Sequence, residues 1–163
     1  MNPIIKTGVL IGVLCCAWTY VIGFTGWYLD PVMMNMFWIV FVIQIALLIW
    51  GLKKTAAAGK TYGGQVMAGT MMSVVAGPII IISSLIFTTV VFPHYYEEVC
   101  AVQAEILKNA GKSPEEISAQ IEAGKAMQTP IMGAIFGCVG TIVTGLVASL
   151  IIGAFVKAKP QAV

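Results

Sequence analysis

The chain has 163 residues, 59% of them hydrophobic and 10% charged, with a formal net charge of +2 and no arginine. That composition lies outside the range of an ordinary soluble domain, and the length leaves room for one bundle and no separate soluble domain. Without arginine there is no bidentate fork for phosphate, so a nucleic-acid partner is not expected.

Four stretches contain no Asp, Glu, Lys or Arg: Thr7 to Leu29, Val32 to Leu52, Tyr62 to Phe92 and Thr129 to Val156. Each exceeds the roughly 20 apolar residues that cross a bilayer core. In hydrocarbon every backbone polar group must be paired within its segment, so each stretch predicts a transmembrane helix. The expected fold is all-α, an integral membrane four-helix bundle forming a single transmembrane domain over 1–163. Its spans fall at about 7–29, 32–52, 64–92 and 130–156, with an outer helical hairpin at about 93–128 between the third and fourth.

The first apolar run continues past the length of a signal-peptide core and offers no clean small-residue cleavage site, so the first span is expected to stay. Its cysteines, Cys15 and Cys16, behave there as small apolar residues. The run ends in Gly23, Gly26, Trp27 and Tyr28, the aromatic pair reading as an interfacial anchor. Leu29, Asp30 and Pro31 make a very short turn, so the first two spans are antiparallel neighbours. The second span has no glycine between Val32 and Trp50 and carries Phe37, Trp38 and Phe41, which suits a lipid-facing helix. Asn35 near its outer end and Gln44 near its middle are its polar groups, and Gln44 is expected to bond across to a neighbouring helix. Gly51 to Gly64 (GLKKTAAAGKTYGG) reads as a loop.

In the third span Pro78 predicts a kink near Val74, because proline removes a donor and crowds the preceding turn. The polar segment from Pro93 to Gln128 spaces Tyr95, Val99, Val102 and Ile106 helically, then stops at NAGK with Gly111 beyond the helix end. Ser113, Pro114 and Glu116 spell a capping box that starts a second helix. The fourth span repeats small residues at every fourth position: Gly133, Gly137, Thr141, Gly145, Ser149 and Gly153. Such a seam lets another helix approach closely. Shorter counterparts are Gly69, Ser73 and Gly77 on the third span, and Gly8, Gly12 and Cys16 on the first. The seam is read first as packing within the bundle and second as contact with another subunit.

The charges sort by side. Lys6, Lys53, Lys54, Lys60, Lys157 and Lys159 flank one set of span ends without any acid. The acids (Asp30, Glu97, Glu98, Glu105, Glu115, Glu116 and Glu122) lie at the other end with Lys108, Lys112 and Lys125. The positive-inside bias then places both termini in the cytoplasm.

The whole arrangement resembles the bacterial family catalogued as domain of unknown function 4199. The resemblance runs end to end, through TYGGQVMAGT into the third span, FPHYYEE after it, and LKNAGKSPEEISAQIEAGKAMQTP before the last span. It implies the architecture and brings no activity and no catalytic residues.

No span holds an Asp, Glu, Lys, Arg or His, which weighs against ion-coupled transport. His94, the only histidine, stands among Tyr95, Tyr96, Glu97 and Glu98, where an interfacial anchor outweighs a metal or quinone-edge role. Cys100 is alone on the outer side, either free or paired with another chain. No catalytic constellation and no cofactor is expected. The leading expectation is a non-enzymatic accessory or scaffold subunit of a larger membrane complex, with lipids and other integral membrane subunits as partners. The alternative is a small uncoupled channel or transporter formed by homo-oligomers, its path lined by the Gly/Ser/Thr seam.

Overall fold

The computed structural model describes residues 2–156; Lys157 and Lys159, two of the lysines used to orient the chain, lie outside the described residues. Helix α1 (Pro3–Thr25) starts where the Asn2 side chain accepts from the Ile4 N–H, with proline in its first turn. It stops at Gly26, whose left-handed φ of 71° releases the chain into a 3-10 turn, Trp27–Leu29. A second 3-10 segment, Met33–Trp38, leads into α2 (Ile39–Ala57). Helix α3 spans Tyr62–Ile86 and relaxes into a π-turn at Phe87–Val91. The hairpin is α4 (Tyr95–Asn109) and α5 (Pro114–Lys125), and α6 covers Pro130–Phe155.

The described residues are helical with no strand. Four of the helices are long and apolar enough to cross a membrane, which makes this a membrane protein built as a helical bundle. The lysines beside α1 and α2 define one end. Lys54 lies 3.9 Å and Lys6 5.9 Å from the Trp50 ring, cation–π contacts that gather the basic groups there. The α4–α5 hairpin defines the opposite end.

Helix α3 is the hub, packing most extensively on α6 and α1. The closeness comes from glycine. A Cβ at Gly8 would meet the Met72 carbonyl and Val75, and one at Gly12 would meet Ile79. Across the other face α3 and α6 run antiparallel with small residues interlocked: Ser73 fills the notch of Gly145, Ser149 fills that of Gly69, and Gln65 faces Gly153. The α6 seam is thus consumed inside the bundle, the first of its two readings, and it offers little surface to another subunit. The core at the lysine end is solid, with Ile11, Leu48, Leu52 and Met72 fully buried.

Two expectations change. Of the stretch from Gly51 to Gly64 only 58–61 is a loop: α2 continues through Lys53 and Lys54 to Ala57, and α3 restarts at Tyr62. Gly51 acts as a contact residue there, since a Cβ would strike Thr7 and Met72. Tyr28 is not an outward-facing anchor. It is 6% exposed, turned into a cluster of rings with Phe92 and Tyr95. At Pro78 the helix runs on unbroken.

The hairpin follows its sequence signals. Ser113 and Glu116 form a reciprocal capping box. Gly111, at φ 78°, closes α4 with bonds from its own N–H to Lys108 and from Lys112 N–H to Leu107, a Schellman end.

Candidate functional site

Helix α2 buries Gln44, Leu48, Gly51, Leu52, Thr55 and Ala56 against the bundle. Toward the hairpin end the chain stays beside α1, where Trp18 Nε1 donates to the Met36 carbonyl at 2.9 Å, and leaves a gap toward α3 and α6. The gap is a cavity of about 390 Å³ lined from all four spans and from α4, within the size range of small-molecule sites.

Gln44 bounds it toward the lysine end. Its amide is 2% exposed and donates 2.7 Å to the Thr141 carbonyl and 3.4 Å to Ser73 Oγ, so one side chain joins α2, α3 and α6. This is the cross-helix contact expected of it. A row of rings forms one wall: Tyr20 meets Phe87 edge-on at 5.3 Å, Phe87 meets Tyr95 at 5.2 Å, and Tyr95 meets Tyr96 at 5.2 Å. Tyr96 also seats against Gly133, where a Cβ would collide with its hydroxyl. The opposite wall is Phe37, Val40 and Phe41 of the α2 arm with Phe136, Gly137 and Gly140 of α6. Ser83 and Ser84 supply hydroxyls on α3, and no lining residue is charged. The π-turn sits at the rim, placing Phe87 and Thr88 in the lining; such wide turns recur at functional sites.

At the water-facing side the phenols are held neutral. Burial, then the neighbouring Tyr96, pushes Tyr95 up to about 12, and burial raises Tyr96 in the same direction. Burial, followed by the hydrogen bond to Glu98 and its charge, pushes Tyr28 up to about 12.

The other candidates separate from this cavity. Gly145, Ser149 and Gly153 face α3 at the lysine end, while Gly133, Gly137 and Thr141 edge the cavity. The Thr141 hydroxyl is spent on the Gly137 carbonyl at 2.8 Å. Asn35 is exposed and closes its own turn by donating to the Val32 carbonyl. His94 pairs locally with Glu97 at 3.0 Å, its side chain 72% exposed, and no group of three or more metal-binding side chains exists among the described residues. Cys100 is a free thiol that donates to Gln128 Oε1 at 2.7 Å, and Gln128 in turn donates to Gln103, tying α4 to the entry of α6. The Ser84 and Tyr95 hydroxyls were not singled out by the sequence. Gln65 was also missed: it is buried near the lysine end and donates to the carbonyls of Lys60 and Val156. An amide inside an apolar run was its signal, the same signal that marked Gln44.

Residues 6–158 match the model of the family described as "Protein of unknown function (DUF4199)", and the chain belongs to that family. No curated protein and no solved structure matches it.

Proposed function

We propose that this member of the family is a non-enzymatic accessory or scaffold subunit of a larger complex in a bacterial inner membrane, with both termini in the cytoplasm. The observation that carries the reading is the exposure of α2. Only 11% of its most apolar stretch is buried against the bundle, against 39% for α1. Its hairpin-end half turns Trp38, Val42 and Ile45 outward. A spanning helix with so little cover from its own chain takes its neighbours from lipid or from another protein, and this reading assigns part of that uncovered face to a partner. With the α6 seam filled by α3, support for a partner rests on α2. The orientation rests on the lysines gathered around Trp50, opposite the acidic hairpin.

Against the channel alternative, Gly145, Ser149 and Gly153 pack on α3, and although Gly133, Gly137 and Thr141 edge the cavity, the buried core closes the bundle axis beyond Gln44. Mild solubilisation of native membranes tests the proposal. The protein should come out in fixed stoichiometry with larger membrane proteins, and Trp38→Ala with Val42→Ala should release it as a folded bundle. Saturable solute flux through the pure chain in liposomes, with no co-purifying partner, would overturn the reading.

A further inference from the structure

The cavity beside α2 has a composition and an opening that go beyond a packing defect. Its boundaries tell where an occupant comes from. Gln44 bonded to Thr141 and the core beyond it close the lysine end, and Tyr95 and Tyr96 of α4 stand across the water-facing end. The side between α2 and α6 is different. Phe37 is 47% and Phe136 52% exposed there, and a Cβ at Gly140 would have nothing within 4 Å. In a bilayer this opening faces lipid rather than water.

The lining tells what kind of molecule fits. It holds no Asp, Glu, Lys, Arg or His, and an ion there would carry an unrepaid desolvation cost. The Tyr20–Phe87–Tyr95–Tyr96 row offers ring edges and faces to a flat π-system. Ser84 and Tyr95 line the same space, and among the described residues neither hydroxyl makes a hydrogen bond. Tyr95 stays protonated across the physiological range, so it remains a donor. An acyl chain would use neither the rings nor the donors.

We propose that this cavity binds a neutral, lipid-soluble ring compound bearing carbonyl or hydroxyl oxygens, of the quinone or phenol class, which enters sideways from the bilayer between α2 and α6. The ring lies against the aromatic row, an oxygen accepts from Ser84 or Tyr95, and any apolar tail leaves past Gly140 and Phe136. This binding is independent of the subunit reading and is tested on the isolated full chain.

The experiment is photolabelling of the chain in nanodiscs with a decyl-substituted p-benzoquinone carrying a diazirine. Saturable labelling should map to peptides around Phe41, Tyr95 and Phe136. Unlabelled decyl-benzoquinone should compete, and monoolein, an acyl lipid of similar bulk, should not. Gly140→Leu fills the open mouth and should abolish the labelling while leaving thermal unfolding unchanged. The pair Ser84→Ala with Tyr95→Phe should weaken the probe by about fivefold for each lost hydrogen bond. That pair decides the matter if Gly140→Leu fails to fold. Labelling spread evenly over the lipid-facing surface, labelling indifferent to these substitutions, or equal competition by monoolein would each overturn the proposal.

Discussion

Tyr28 Oη donates a 2.6 Å hydrogen bond to Glu98 Oε2, across 70 residues of chain. It ties the turn after α1 to the first turn of α4, and the Tyr28 ring lies at the same time against Phe92 and Tyr95. The hairpin is therefore fastened to the bundle on the side of α1 as well as through α3 and α6.

Removing that bond should loosen the attachment. Tyr28→Phe keeps the ring and loses the donor, at a cost of about 1 kcal/mol for a partly exposed, charge-assisted bond. Glu98→Gln should cost less, and the double substitution should cost less than the two singles added together. Thermal unfolding of the four proteins in detergent measures the cycle; strict additivity would mean that the two groups do not act as a pair.

The glycines of α6 should differ in tolerance. A Cβ at Gly145 falls on Ser73, whereas at Gly137 it meets Ile80 at 3.3 Å and at Gly140 nothing within 4 Å. Alanine should therefore destabilise strongly at 145, slightly at 137 and not at 140, with overpacking at the first costing about 1–3 kcal/mol. Unfolding temperatures of the three variants check the order.

Gln44→Met keeps the volume and removes the donor to Thr141 and Ser73. Interhelical bonds of this kind in membranes average about 0.6 kcal/mol, so the variant should fold and unfold at a slightly lower temperature. A loss of several kcal/mol would mean that the amide does more than join helices.

Asp30 accepts from the Met33 and Val32 N–H groups, and these bonds, Met33 first, hold its carboxyl below the ordinary range. A depressed folded value means a stabilising contribution that is present above the unfolded pKa of about 4 and disappears as the pH falls through the folded value. Asp30→Asn keeps an acceptor without a titrating charge. The difference in unfolding temperature between the parent and this variant should shrink on acidification below about pH 4 and stay flat above about pH 6.

The spans were legible because bilayer chemistry writes them twice, in missing charge and in length, and each helix is found where its charge-free run lies. The hairpin was legible from Ser113, Glu116 and Gly111, whose roles are local. Gly51 misled because glycine as a breaker and glycine as a close-contact residue look alike until Thr7 and Met72 are placed beside it. Tyr28 misled in the same way: an aromatic at a span end faces the interface unless other rings, here Phe92 and Tyr95, draw it inward. The cavity had no sequence signal at all. It arises where the hairpin-end part of the second span, bonded to α1 through Trp18 and Met36, leaves space toward α3 and α6, a property of several helices together.

A one-turn slide of α6 along α3, a shift of about 6 Å, would set Gly145 against Gly69 and Ser149 against Gln65, leaving one notch empty and crowding another. Polar bonds that have one setting reinforce that alignment. Tyr62 Oη reaches the Leu150 carbonyl, Gln65 the Val156 carbonyl, and Gln44 the Thr141 carbonyl from a third helix. The first two break when α6 slides on α3, and the third when it slides on α2. Register is thus held twice, by serines seated in glycine notches and by these donors, so a chain stripped of the three donors would align less firmly but to the same setting.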